Sequence, residues 1–251
     1  MQFEYHQFTY GSDNYGVLIH DKNTSETACV DAGDSKAYLA ALKETGWSLT
    51  QIWITHHHLD HTHGLAKIKE ETGAVVYGPS AFPGVDKTLE HSEIFLFSGA
   101  EVHVISTPGH TLDMLNFYIK SEETIFTGDT LFVMGCGRLF EGTPEQMYES
   151  LVRLMELPEQ TLVYCSHEYT LVSAKFALSV DFLNKELIER HNVVVDLVSK
   201  GKPTVPTTIG KELETNPFLR FSDKNIKEHL GMLSASDVEV FTKLRELKDS
   251  F

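Results

Sequence analysis

The sequence predicts an α/β body followed by an all-α tail, and three observations carry this. Through the first two-thirds, short runs rich in aromatic and β-branched residues alternate with runs of helical spacing. From about Thr170 helical spacing continues with no strand between. The length, 251 residues of which 41% are hydrophobic, provides for one large domain or for one medium and one small. The division is expected near residue 170, with 1–169 as the body and 170–251 as the tail.

Residues 3–9, 15–20 and 27–30 are predicted as an antiparallel meander, separated by Gly11, Ser12, Asn14 and Asn23. Residues 35–45 carry apolar positions at Tyr38, Leu39 and Leu42 and stop at Gly46, which predicts a helix. Further strands are expected at 51–55, 74–77, 101–106, 114–119, 124–127 and 161–165. Helices are expected at 64–72 and at 144–155, the second with Thr143 as N-cap and Pro144 in its first turn. In the tail, 171–180 and 182–199 read as helices, and Lys202-Pro203-Thr204-Val205-Pro206 as an extended connector, because proline cannot sit in a helix interior. Asn216-Pro217 is a turn, and 223–230 and 236–248 close the chain as helices. There is no internal repeat, which excludes a solenoid.

The formal net charge is −15, from 21 Lys+Arg against 36 Asp+Glu. That balance argues against a nucleic-acid partner or an anionic membrane surface, both of which select basic patches. The acid excess is not uniform. Residues 211–251 hold seven Lys/Arg and eight Asp/Glu, so nearly all of the excess lies in the rest of the chain. No apolar stretch approaches the roughly 18 residues of a membrane span. Residues 1–10 have no basic run ahead of an apolar one, so no secretory or transit peptide is expected. Three cysteines, Cys29, Cys136 and Cys165, are odd in number and far apart, which fits a reducing cytoplasm rather than a disulfide framework.

The abnormal entry is histidine, at 13. Thr55-His56-His57-His58-Leu59-Asp60-His61 packs four imidazoles and a carboxylate into six positions. A surface tract is the ordinary reading of clustered histidines, but this one is internal, follows an apolar β run and alternates. His56 and His58, two apart on a chain leaving a strand, point the same way. His57 points the opposite way and reads as packing or support. Three further predicted strands end in a small or rigid residue that presents one His or Asp: Pro108-Gly109-His110, Gly128-Asp129 and Ser166-His167. Any one of them alone would be a cap or a turn. Together they place His56, His58, His61, His110, His167, Asp60 and Asp129 beyond strand ends, where layered α/β proteins gather their sites. Seven side chains exceed one tetrahedral zinc and suit two ions sharing a carboxylate. Without a thiolate, the donors suit Zn, Fe or Mn. His6, His20, His91, His103, His191 and His229 read as ordinary surface or core residues.

The motif THHHLDH (55–61), with TPGHT (107–111) and FTGDTLF (126–132), resembles the metallo-β-lactamase-fold hydrolases. GCGRLFEGTP (135–144), YCSHEYT (164–170), PTVPTTIG (203–210), NPFLR (216–220) and RELKDSF (245–251) narrow the resemblance to the glyoxalase II family along nearly the whole chain. The resemblance implies a four-layer αββα sandwich followed by a helical glutathione-binding domain. It implies one metal held by His56, His58 and His110, a second by Asp60, His61 and His167, and Asp129 bridging them, with zinc the first expectation. It also implies hydrolysis of an S-acyl glutathione, typically S-D-lactoylglutathione, by a hydroxide between the ions, with Asp60 helping to orient it. Glutathione contacts carry over to Arg138, Tyr169, Arg245 and Lys248. Cys136 and Cys165, beside the motifs, are expected to pack rather than react. Two positions depart from the family pattern: Phe140 stands where relatives often carry tyrosine, and Asp113-Met114 where many have Gly-His. A cytoplasmic monomer is expected, with no nucleic-acid or membrane partner. The competing reading is a mononuclear-iron dioxygenase acting on glutathione persulfide, for which His56, His110 and Asp129 could supply the facial triad.

Overall fold

The structure, a computed structural model, describes residues 3–80 and 82–251. These form two compact units. One comprises the described residues up to Ser106 together with Asp113–Gly128, and the other Thr107–Leu112 with Asp129–Phe251.

The first unit opens with β1 (Phe3–Tyr10), β2 (Asn14–Asp21) and β3 (Glu26–Val30), the expected antiparallel meander. Helix α1 (Ser35–Thr45) follows, capped by the Asp34 carboxylate on two backbone N–H groups and ended by Gly46 at φ 75°, a left-handed position that glycine fills without a Cβ clash. Strand β4 (Ser48–Trp53) then pairs parallel to β3. The short α2 (Leu59–Thr62) and α3 (Leu65–Thr72) lead to β5 (Val75–Gly78) and β6 (Lys87–Thr88), again parallel. A second sheet builds antiparallel from β7 (Ile94–Phe97), β8 (Ala100–Ser106), β9 (Leu115–Ile119) and β10 (Thr124–Gly128), with a 3₁₀ turn at Lys120–Glu122.

Alternation along the strands divides their side chains between two cores. Trp53, fully buried, meets Phe95, Phe97, Phe117 and Phe126 of the second sheet at ring-centroid distances of 5.3, 5.4, 5.7 and 6.2 Å. On the other face Leu18, Cys29, Ile52 and Val76 pack with Tyr38, Leu42, Leu65 and Ile68 of the helices. At the sheet's rim Trp47 stacks on His20, 4.4 Å away and nearly parallel.

The second unit contains the small hairpin β11 (Leu131–Phe132) and β12 (Gly135–Cys136), then α4 (Pro144–Met155) and β13 (Leu162–Cys165). Thr143 and Gln146 form a capping box at the start of α4, as the Thr-Pro sequence predicts. The tail is α5 (Thr170–Val180), α6 (Lys185–Ser199), β14 (Thr207–Thr208), α7 (Ile209–Thr215), α8 (Lys224–His229) and α9 (Asp237–Asp249). Phe218 is buried between Phe176 and Phe241, with centroids 5.8 and 6.0 Å away. Buried Glu212 accepts from the Met134 N–H, Asn216 Nδ2, Thr207 Oγ1 and Arg190 Nη2, so its charge is paired and its lone pairs are filled. Among the described residues no helix is long and apolar enough to cross a membrane.

Candidate metal centre

In the first unit the predicted ligands follow β4, His56 and His58 in the loop and Asp60 and His61 in the short α2. His56 Nε2 is 3.1 Å from His58 Nδ1, and the rings of His56 and His61 have centroids 4.1 Å apart. His61 Nε2 is 3.4 Å from Asp60 Oδ2. Asp60 is itself held by Tyr10, whose hydroxyl donates to its backbone carbonyl at 2.9 Å, and by Asn14, whose amide donates to Oδ2 at 3.1 Å. His57 does face away from its neighbours' partners: its Nδ1 sits 3.0 Å from Asp113 Oδ1. Asp113, one of the two departures from the family pattern, is thus a brace on the ligand loop.

One residue organises this loop and was not anticipated from the sequence. Buried Asp31, at φ 59°, accepts from the Thr55 N–H at 2.8 Å and from the Thr55 hydroxyl at 2.9 Å. His61 Nδ1–H donates to its other oxygen at 2.7 Å. Because the Thr55 hydroxyl proton points to Asp31, the hydroxyl oxygen, 3.0 Å from His56 Nδ1, accepts from that ring. Asp31 therefore sets the tautomer of His61 directly and of His56 through Thr55, turning Nε2 of both toward a ligand position. The signal was present: Val30 ends a strand and Asp31-Ala32-Gly33 turns the chain, the same pattern that exposed the other strand-end ligands.

The second unit brings together His110, Asp129 and His167, all buried. Both imidazoles aim Nε2 at one oxygen, Asp129 Oδ2, at 3.4 and 3.3 Å. His110 Nδ1–H donates to the Arg138 carbonyl at 2.8 Å, again leaving Nε2 to face inward. Tyr169 lies flat on His167, 4.8 Å away with planes 2° apart, and Phe132 meets both rings edge-on.

The chemistry of these donors fits divalent cations. Imidazoles and carboxylates converge nitrogen to oxygen at 3.3–3.4 Å, longer than good charge-assisted hydrogen bonds, while the opposite ring nitrogens of His61 and His110 are anchored at 2.7 and 2.8 Å. Within each unit, groups so arranged are supported from behind and face one another across a gap suited to a cation. Thiols have no part in it. Cys29, Cys136 and Cys165 are free and buried, and burial pushes the Cys165 thiol up to about 12.

The same second unit carries the predicted anion contacts. The Arg138 side chain is 62% exposed, with Nε 3.6 Å from Asp249. Lys248 Nζ lies over the rings of Phe176 and Phe251 at 5.8 and 5.5 Å. Arg245 differs: it is 5% exposed, and its guanidinium reaches backbone carbonyls and Asp249. Burial, reinforced by the charges of Arg245 and Arg138, holds the Lys248 ammonium below the usual lysine range. If Lys248 binds an anionic substrate, the binding form is the charged one, lost as pH rises through that lowered pKa. KM should therefore climb at a pH below the ~10.4 of an ordinary lysine, with kcat steady. Lys248→Arg should remove the climb, and a KM profile that Lys248→Arg leaves unchanged would exclude the contact.

Two family models together match residues 14–251. The metallo-beta-lactamase superfamily matches residues 14–167 and the hydroxyacylglutathione hydrolase C-terminus matches residues 168–251. A protein from Mesorhizobium japonicum named hydroxyacylglutathione hydrolase is 47% identical over 255 residues, covering 100% of both chains. The crystal structure of ETHE1 from Myxococcus xanthus superposes with a TM-score of 0.70 at 26% identity, covering 97% of this chain and 90% of that one. BLEG-1, a B3 metallo-beta-lactamase, gives 0.66 at 22% identity over 86% of this chain and 99% of its own. The fold is that of the metallo-β-lactamases with a helical C-terminal extension, and full-length identity of this order places the chain in the hydroxyacylglutathione hydrolase family.

Proposed function

We propose that the chain hydrolyses S-acyl glutathione thioesters, S-D-lactoylglutathione foremost, to the free acid and glutathione. The observation that carries this reading is that one unit holds both the convergent set His110, Asp129 and His167 and the cations Arg138 and Lys248. In this reading His56, His58 and His110 hold one divalent ion, Asp60, His61 and His167 a second, and Asp129 serves both, with zinc the expected metal and iron or manganese able to replace it. Bound there, such ions supply Lewis acidity toward a carbonyl oxygen and ionise water near neutral pH.

The remaining work falls to the chain's own residues. Asp60, its carboxylate about half exposed and steadied by Asn14, accepts a hydrogen bond from the attacking water and orients it. Arg138 and Lys248 take the glutathione carboxylates, which guanidinium and ammonium groups pair well. Tyr169, half out in solvent on the face of His167, offers a phenol to the peptide. The leaving thiolate, with a pKa of about 8.5 by analogy to cysteine, requires little help from an acid. We place the enzyme in a reducing compartment, where its three thiols stay free, and as a monomer with residues 170–251 forming the glutathione-binding domain.

Chelation should abolish lactoylglutathione hydrolysis, and added zinc, iron or manganese should restore it. A metal-free preparation that keeps full activity would overturn the reading. Oxygen uptake with glutathione persulfide, in place of thioester cleavage, would turn it to the dioxygenase.

A further inference from the structure

The geometry points to Glu168 as a positioning residue that, by way of Thr204, holds the metal ligand His167 and the substrate-facing Tyr169 in one fixed stack. The inference rests on the roles proposed above for those two neighbours. From His167 to Thr170 the chain changes task at every step. His167 aims Nε2 at Asp129 Oδ2 at 3.3 Å, Tyr169 lies on the His167 ring with centroids 4.8 Å apart and planes 2° from parallel, and Thr170 opens α5. Two rings two apart in sequence lie flat on each other only while the backbone between them keeps one conformation. The stack itself is a weak tie. The residue between them, Glu168, makes stronger ones.

Both oxygens of the Glu168 carboxylate are tied. The Thr204 N–H donates to Oε2 at 3.0 Å, the Thr204 hydroxyl lies 2.8 Å from Oε1 and 2.9 Å from Oε2, and the Thr170 N–H donates to Oε1 at 3.3 Å. Because the Thr204 hydroxyl gives its proton to the carboxylate, its oxygen accepts from the buried Thr170 hydroxyl beside it. Bonds to a charged acceptor are about twice as strong as neutral ones. Tyr169, at the N-cap position of α5, makes no side-chain bond to the helix, so Glu168 caps the Thr170 N–H instead, at the helix end where negative charge is favoured. Thr204 stands on a stiff segment: Pro203 and Pro206 fix their own φ on either side, and Val205 is buried. The connector of residues 202–206 is thus a backstop for the His167–Tyr169 loop, and Glu168 joins the two. Loosening this joint reaches the ligand ring and the substrate-facing ring together, which a residue supporting either ring alone would not do.

The test uses variants of the full-length protein. Glu168→Gln keeps the length but leaves one accepting oxygen and sets an amide NH₂ beside N–H donors. Thr204→Val keeps the shape and the backbone N–H without the hydroxyl, Thr204→Ser restores the hydroxyl, and Tyr169→Leu removes the stack and sets the zero of its signal. Zinc affinity is read by competition with a chromogenic chelator, and the stack by the upfield ring-current shift of the His167 imidazole protons in the metal-free protein. KM is read apart from kcat at saturating zinc, and urea melts report stability. Glu168→Gln should lose most of the ring-current shift, bind zinc about tenfold more weakly, as lost support behind a ligand does, and raise KM about threefold or more. Thr204→Val should move all three in the same direction, and Thr204→Ser should return them to the values of the unmodified protein. A merely structural tie would lower the urea midpoint and leave the shift, the zinc affinity and KM where they were. That result in Glu168→Gln, or in Thr204→Val should Glu168→Gln not fold, overturns the inference, and so does unfolding of both. If the unmodified protein cleaves no glutathione thioester, the proposed substrate falls, and the ring-current shift and zinc affinity still decide the role of Glu168.

Discussion

Asp31→Asn is expected to weaken zinc binding by about 10- to 100-fold and to lower kcat/KM at limiting zinc by a similar factor. The amide is nearly the same shape and tolerates the left-handed backbone at φ 59° as aspartate does, so the backbone is not what changes. What changes is that one carboxylate accepts from three donors, the Thr55 N–H, the Thr55 hydroxyl and His61 Nδ1–H. An amide has one accepting oxygen and presents N–H groups where the other stood. His61 then avoids a donor–donor clash by moving its proton to Nε2, the atom proposed to meet the metal. Asp31→Ala should in addition destabilise the metal-free protein. It strands buried donors worth about 1–3 kcal/mol each. Chelator competition and urea melts check the two effects separately, and zinc affinity within a factor of two of the unmodified protein in Asp31→Asn would refute the assignment.

The second large effect is expected at two glycines. A Cβ at Gly33 would lie 1.8 Å from the Asp60 carbonyl oxygen, and one at Gly137 2.0 Å from that of Asp129. The obstacle in each case is backbone, which cannot swing aside as a side-chain tip can. Gly33→Ala and Gly137→Ala must therefore push the peptide of a carboxylate proposed to hold metal. Overpacking of this kind costs about 1–3 kcal/mol or more. A displacement on the order of 1 Å at a reacting centre can lower the rate by about 10²-fold. Melting curves and kcat at saturating metal would measure both. Either variant keeping kcat within about threefold, far short of the loss expected from displacement, would show that these close approaches do not set the ligand positions.

The placement of the candidate ligands after strand ends is legible in the sequence. His110, Asp129 and His167 each follow a strand closely, as expected. Asp31 also follows a strand end, at Val30, but stands without a neighbouring histidine to mark it. The strand before the histidine loop was expected at 51–55 and is found at Ser48–Trp53. The difference has a cause in the site itself. The Thr55 N–H, which would continue the ladder, donates to the Asp31 side chain instead, and a side-chain acceptor ends a strand as a missing neighbour would. The helix expected over 182–199 begins at Lys185, because Asn184 turns its side chain to cap Leu187 N–H while Asp181 accepts from Asn184 and Arg220. Strand β7 and helix α7 were missed outright. Ile94–Phe97 is too short to show a period, and Ile209–Thr215 owes its place to Glu212, whose partners come from distant parts of the chain. Pairings of that range leave no local trace in sequence.

Both tryptophans of the chain, Trp47 and Trp53, belong to the first unit. Intrinsic tryptophan fluorescence is therefore blind to the second unit, while far-UV ellipticity draws chiefly on the helices α4 to α9 found there. Recorded on one sample, the two signals form an internal comparison. Coincident melting curves would mean that the units unfold as one cooperative body, and separated curves would give each its own stability.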